Sequence, residues 1–355
     1  MGYLILYAVL RGLFFPFLKR SKKGGLALLI HTGKIGDYAN AVFLLEKVAP
    51  ADVLLDRLNA PFVSKDQRIR KAWFQQDYKA NIWKKCRLAC QLYCQGYERV
   101  FITTPNQLNL FWGLCACAGS TSALDVGWGM RILLKICDRV VPHDVHTPTI
   151  DSYLKLADGP GGERPVGRLF TDWNEDGVVE PLRQASRPRV GVSLCTGNGS
   201  KQIPVEEWGW WFQWLKSMGV SIVVLGTEPE QVFLDSVLQN SALPASAVLN
   251  LLGAVPLRDL PENISQLDIL VSADSGPAYL AGLRNVPLVL YAGPCYLPEQ
   301  QPQGNNHHIV SPQAPVERYS YIFDALHNAD CETLYKTNVE ERRRMMDFVR
   351  RVIQK

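Results

Sequence analysis

Several common catalytic devices are missing from this chain. Its 355 residues contain no Asp-x-Asp pair, so one widespread carboxylate device for a divalent cation is absent. The loop around Lys34 does not satisfy G-x-x-x-x-G-K-[ST], which rejects a P-loop NTPase. No G-x-S-x-G elbow occurs, which argues against an α/β-hydrolase. The nine cysteines are odd in number, scattered and without a C-x-x-C pair. Neither a disulfide framework nor a zinc ribbon is indicated, and a reducing cytoplasm is the simplest home. The net charge is only +4, and no basic run is interleaved with aromatics, so no nucleic-acid partner is expected.

What is present suits a globular enzyme. The composition is 47% hydrophobic and 20% charged, and the length allows two domains with proper cores. Residues Tyr3 to Leu18 are apolar apart from Arg11, and Lys19, Arg20, Lys22 and Lys23 follow at once. This run is short of the roughly 20 residues that span a bilayer. It lacks a basic region before the apolar part and a small-residue cleavage site, so a signal peptide fits poorly. Two readings stay open: an interfacial anchor making peripheral membrane contact through residues 3–23, or a helix docked on the protein's own core.

The pattern along the chain alternates strands and helices, which implies a parallel, doubly wound sheet. In the first half, strands are expected at Leu26–His31, Val53–Leu55 and Val100–Thr104. Helices are expected at Tyr38–Ala49, Ile82–Cys94 and Gly129–Asp138. A Gly/Pro-rich stretch at 158–165 and the proline-bounded Gln184–Pro188 mark a linker region. The alternation then restarts. Strands are expected at Arg189–Leu194, Val220–Leu225, Leu249–Leu252, Ile269–Ser272 and Pro287–Tyr291. Helices are expected at Val205–Met218, Pro229–Leu238, Leu257–Leu267, from Pro277 to near Arg284, and Asn338–Ile353. The expected architecture is α/β, with two Rossmann-like doubly wound domains facing a cleft. Residues 1–23 would form an N-terminal extension, 24–175 and 186–330 the two domains, and 331–355 a C-terminal helix.

One stretch already points to a ligand. Asp274, Ser275 and Gly276 form a turn between a buried strand and a helix whose first position suits Pro277. Backbone N–H groups and a helix N-terminus converge there, which favours an anion and especially a phosphate. Gly276 lets backbone approach closely.

Three blocks together resemble the ADP-heptose:lipopolysaccharide heptosyltransferases, glycosyltransferase family 9 of the GT-B fold. They are HTGKIGDYANAVFLLEKV at 31–48, VGVSLCTGNGSKQIPVEEWGWW at 190–211, and NLLGAVPLRDLPENISQLDILVSADSGPAYLAGLRNVPLVLYAGP at 250–294. Tyr279 stands where that family usually has His, and the apolar N-terminal extension is also a departure from it. The resemblance implies an inverting, metal-independent transfer of a heptose or related sugar. The donor would be a nucleotide sugar such as ADP-heptose, bound as substrate with no cofactor. The acceptor would be a cell-envelope glycolipid or oligosaccharide such as lipopolysaccharide core. The place would be the cytoplasm, at the inner face of the cytoplasmic membrane.

Within that resemblance Asp37 is the general base that takes the acceptor proton, although an Asp before a helix also serves as an N-cap. Lys201, closing the Gly-rich loop Thr196–Ser200, steadies the leaving diphosphate in place of a metal. A lone lysine is otherwise ordinarily a solvated surface residue. Thr196 and Ser200 add hydroxyl donors. Asp274 orients the turn or bonds a sugar or ribose hydroxyl, with Ser275 and Gly276 on the phosphate. Gly226, Thr227 and Gly253 either line the nucleotide or are simple turn residues. Cys86, Cys90 and Cys94 share a helix face and are expected to be packed, as are Trp208, Trp210, Trp211 and Trp214. His307 and His308 are expected in a surface loop. Two other readings remain: a non-catalytic GT-B-like nucleotide-sugar binding protein, and a sugar-nucleotide epimerase or hydrolase.

Overall fold

The computed structural model describes residues 2–21, 25–125, 131–158, 164–169, 175–197, 199–304, 306–312, 315–320 and 334–354. Lys22 and Lys23, the start of the helix expected at Gly129, most of the linker expected at 158–165 and the boundary expected at 330–331 lie outside the described residues. The chain divides into two compact units, Met1–Asp172 and Trp173–Lys355.

The first unit holds six parallel strands: β1 Ala27–His31, β2 Ala51–Leu55, β3 Ile69–Phe74, β4 Arg99–Ile102, β5 Ser120–Leu124 and β6 Arg139–Val141. Their spatial order is β3-β2-β1-β4-β5-β6. The main helices are α1 Gly2–Val9, α2 Ile35–Val48, α3 Ile82–Gln95, α4 Gln107–Cys115 and α5 Thr149–Asp158. The central strands are buried throughout, β1 and β2 at every residue. This is the burial expected of a parallel sheet covered on both faces. Three strands were not expected from the sequence. β3 (IRKAWF) lies at the sheet edge and buries one residue of its six. β5 (STSAL) is polar, and β6 is three residues long.

The second unit repeats the plan with β7 Arg189–Ser193, β8 Ser221–Leu225, β9 Leu249–Asn250, β10 Ile269–Ala273, β11 Leu288–Tyr291 and β12 His307–Val310. The order β12-β11-β10-β7-β8-β9 is the first sheet's order read from the other edge. Its main helices are α6 Val205–Ser217, α7 Gln231–Ser241, α8 Gly276–Leu283 and α9 Val339–Ile353. His307 and His308 therefore sit in an edge strand, not a loop, and His308 Nε2 lies 2.8 Å from Glu341 Oε1 on α9.

The core of this unit explains the tryptophan-rich α6. Trp208 and Trp211 are fully buried, and Trp211 Nε1–H donates to the Tyr291 hydroxyl at 2.7 Å. Tyr291 in turn donates to Glu207 Oε1 at 2.8 Å. Arg342 reaches the other Glu207 oxygen at 2.8 Å and also covers Trp210, which stacks on Trp214. Asn338 caps α9 through the Glu341 N–H. α9 is thus tied to the core of the second unit by a buried, satisfied polar network as well as by Met345, Phe348 and Val349.

Candidate active site

In a doubly wound parallel sheet, ligands bind beyond the carboxyl ends of the strands, at the point where strand order reverses. That point lies between β7 and β10 in the second unit. The register pairs Ser272 with Ser193 and Ala273 with Tyr291, so β7, β10 and β11 end level. The segments that follow them lie side by side.

Lys201 and Asp274 meet there. Lys201 closes a short helical turn, Gly199–Lys201, and its ammonium is ion-paired to Asp274 Oδ2. The side chains are 14% and 5% exposed, so the pair is far from an ordinary surface contact. Burial pulls the Lys201 ammonium toward neutrality, but the Asp274 carboxylate, helped by Cys295 and Tyr319, more than offsets it. The net shift is upward and Lys201 stays charged. Gly293, just past β11, lies against the pair. A Cβ on it would lie 3.2 Å from Lys201 Cε and 3.4 Å from Asp274 Oδ2.

The second Asp274 oxygen is also engaged. The Tyr279 hydroxyl lies 3.0 Å from Asp274 Oδ1 and 2.9 Å from Gln300 Oε1. One hydroxyl proton serves only one of them, and Gln300 Nε2 has no partner. Turning the Gln300 amide over places its NH2 on the Tyr279 oxygen and leaves the hydroxyl proton for Asp274. The relay is then Gln300 to Tyr279 to Asp274. Ser275 is the N-cap residue of α8, with extended backbone and no side-chain cap bond. Its hydroxyl is 3.1 Å from that of Ser272.

The remaining nucleotide-side candidates lie along the same edge. Thr196 is half-buried in the loop after β7, whereas the Ser200 side chain lies outside the description. Beside Thr196, burial and Glu230 push the Cys195 thiol up to about 12. After β8, Thr227 gives both its N–H and hydroxyl to Glu230 Oε1, each at 2.8 Å. Gly253, at φ +72°, donates to the Gly226 carbonyl at 3.0 Å. Gly226, Thr227 and Gly253 form a braced turn set, separate from the Lys201–Asp274 pair.

The first unit places Asp37 differently from expectation. α2 begins at Ile35, so Asp37 is its third residue and not a residue before it. Its carboxylate accepts the Lys34 N–H at 3.0 Å, half of a capping box. The loop before it is held by residues that motif reading missed. Thr32 N–H donates to Thr104 Oγ1 at 2.8 Å, and Asn109 Nδ2 to Thr32 Oγ1 at 2.7 Å. Asn59 Nδ2 donates to the Gly33 carbonyl at 2.9 Å. These residues follow β2 and β4, the two neighbours of β1, which is the signal that could have found them.

His31, the last residue of β1, is fully buried. Thr103 Oγ1 donates to the Ile30 carbonyl, so its oxygen accepts from His31 Nδ1–H at 2.8 Å. Nε2 then carries the lone pair and has no partner. Burial lowers the imidazole to about 3, against a smaller upward pull from Asp56, so His31 is neutral. Gly33 is wedged between the two groups. A Cβ there would sit 2.8 Å from His31 Nε2, 2.6 Å from Asp37 Cβ and 2.9 Å from Asp37 Oδ2.

Two doubly wound parallel units, each with polar groups at its carboxyl strand ends, have the architecture of the GT-B fold. Residues 85–316 match the model of glycosyltransferase family 9 (heptosyltransferase), and the chain belongs to that family. Among curated proteins, none matches the chain in sequence. Among solved structures, ADP-heptose LPS heptosyltransferase II of E. coli is similar at 17% identity and TM-score 0.70, over 92% of this chain and 98% of that one. A family 9 glycosyl transferase of Veillonella parvula is similar at 15% identity and TM-score 0.67, over 84% and 90%. The E. coli heptosyltransferase WaaC with ADP is similar at 14% identity and TM-score 0.65, over 91% and 99%.

Proposed function

We propose that the chain moves a heptose or related sugar from a nucleoside-diphosphate donor, ADP-heptose or a relative of it, to a cell-envelope glycolipid such as lipopolysaccharide core. The transfer inverts the anomeric carbon, needs no metal, and takes place at the inner face of the cytoplasmic membrane. The observation that carries this reading is the buried Lys201–Asp274 pair at the strand-order reversal of the second sheet, beside the N-terminus of α8. Bond breaking at the anomeric carbon loads negative charge onto the departing diphosphate. An ammonium has three N–H donors, and Asp274 takes one. Lys201, with the Ser275 hydroxyl and the Gly276 N–H, is assigned to the phosphate oxygens, where a water-poor setting strengthens each contact. Thr196 and Ser200 are assigned to the same diphosphate, and Gly226, Thr227 and Gly253 to the nucleoside.

Asp37 is assigned the proton of the acceptor hydroxyl. As the hydroxyl oxygen bonds to the anomeric carbon, its proton passes to Asp37 and the opposite bond to phosphate breaks, which inverts the centre. The unit Met1–Asp172 is accordingly assigned the acceptor, and Trp173–Lys355 the donor. The E. coli structures named for ADP-heptose and for ADP support the donor assignment.

Thermal-shift measurements with ADP and ADP-sugars, followed by transfer assays on Asp37→Ala, test this reading. Stabilisation by an ADP-sugar and a loss of turnover in the variant are expected. No stabilisation by any nucleotide sugar overturns the donor site. Stabilisation with full activity in Asp37→Ala returns Asp37 to a helix-capping role.

A further inference from the structure

The N-terminal segment is apolar apart from Arg11, yet only one side of it is covered. In α1 and the turns that continue it to Phe17, Tyr7, Leu10 and Phe15 are buried. Phe15 stacks on Tyr93 of α3 with ring centroids 4.2 Å apart, and Tyr3 packs on Phe111 of α4 at 5.3 Å. Arg20 donates to the Tyr97 carbonyl at 3.1 Å. The opposite side is bare: Ile5 is 61% exposed, Leu13 65%, Phe14 53% and Phe17 86%. Large apolar side chains left exposed together in this way mark an interaction surface.

A second element extends the patch. Lys85, near the start of α3, donates to the Tyr3 hydroxyl at 3.0 Å, which places that end of α3 beside the N-terminal helix. Two residues earlier Trp83 is 81% exposed.

Charge settles the occupant. Residues 1–36 contain no Asp or Glu, and neither do residues 79–97. The exposed charged groups described in both segments are basic, among them Arg11, Lys19, Lys79, Lys84 and Arg87. A second copy seated on this patch would set cations against like cations. A bilayer offers acyl chains for the aromatics and anionic headgroups for the lysines.

We infer that the exposed side of residues 2–21 together with the start of α3 is a composite docking surface for an anionic lipid bilayer. The segment packs on its own core and on the membrane at once, with no part of it spanning. Among the described residues no helix is long and apolar enough to cross a membrane. The surface gives meaning to the lipid-borne acceptor proposed above, but it rests on exposure and charge alone.

The test is flotation of the full chain with vesicles of equimolar phosphatidylglycerol and phosphatidylcholine, and with phosphatidylcholine alone. Strong binding is expected only to the mixed vesicles. Lys84→Glu with Arg87→Glu should weaken it by at least about 25-fold, about fivefold per positive charge removed. Phe14→Ser, Phe17→Ser and Trp83→Ser combined should weaken it by at least about tenfold. These side chains are exposed, so the triple variant should melt like the wild type and keep its ADP-sugar thermal shift. Absence of binding to mixed vesicles overturns the inference, as does unchanged binding by the triple variant. A wild-type dimer that the triple variant converts to monomer assigns the patch to a second copy and also overturns it. Loss of the ADP-sugar shift in the wild type would strike the transferase reading and leave the vesicle result standing.

Discussion

Tyr279 and Lys201 hold opposite oxygens of one buried carboxylate. The tyrosine hydroxyl is 3.0 Å from Asp274 Oδ1, and the ammonium pairs with Oδ2. Asp274 is therefore oriented from both sides before any ligand arrives. A Tyr in a position where the resembled family usually carries His still reaches the acid of the same turn.

Tyr279→Phe tests that relationship. Removing the hydroxyl leaves Asp274 Oδ1 and Gln300 without their shared partner, and stability should fall by about 1–3 kcal/mol. The donor KM should rise with kcat less affected, because the variant loosens a carboxylate that organises the turn. Equal stability and equal KM would show that the hydroxyl does not position Asp274.

The ion pair predicts strong non-additivity. Lys201→Met alone leaves a buried carboxylate uncompensated and should cost about 3–5 kcal/mol. Adding Asp274→Asn should recover much of that loss while activity stays absent in both variants. Denaturant titration of the two single variants and the double variant measures the coupling. The sign with pH follows from the raised ammonium. Its contribution is complete below lysine's ordinary value of 10.5 and fades only as pH climbs past it toward the higher folded value. Stability near neutrality should therefore show no step from the Lys201 ammonium.

His31 gives the opposite sign. Its folded value of about 3 lies below the ordinary 6.5, so the unfolded chain binds its proton first as the solution is acidified. The stabilisation is complete above 6.5 and declines between 6.5 and about 3. The expected slope is about 1.4 kcal/mol per pH unit for one proton. His31→Gln should flatten that part of the stability profile, and NMR of the wild type should find the ring neutral at pH 5.

Gly33→Ala probes whether the position of Asp37 matters for turnover. The added carbon would sit 2.6 Å from Asp37 Cβ, so the carboxylate must move. If Asp37 takes the acceptor proton, kcat should drop on the order of 100-fold, with the ADP-sugar thermal shift unchanged. Gly293→Ala, which crowds Lys201, should instead weaken that shift.

The elements that sequence pattern predicted well are those with one dominant signal. Ile269–Ala273 and Arg189–Ser193 are short, fully buried strands built around Ile, Leu and Val, and α9 shows its period through Met345, Phe348 and Val349. The strands β3, β5 and β12 went unseen because edge and polar strands lack both apolar continuity and clean alternation. Part of the candidate site was legible for a similar reason. Lys201 and the 274–276 turn each carry a local signature. Their pairing does not, since 73 positions separate them and only the level ends of β7 and β10 bring them together. Tyr279 was visible as a departure, but its bond to Asp274 needed the helical geometry of α8. Asn59, Thr104 and Asn109 have no motif at all. They matter because β1 is flanked by β2 and β4.

The resting Lys201 already has a counterion. A bare cation in a pocket attracts any passing anion, whereas a neutralised one rewards only a ligand that offers more than Asp274 does. Free inorganic phosphate brings charge but nothing for the rest of the turn. A sugar diphosphate brings charge together with hydroxyls that Asp274 itself prefers to accept from. Selectivity against stray phosphate would then come from the carboxylate as much as from the lysine.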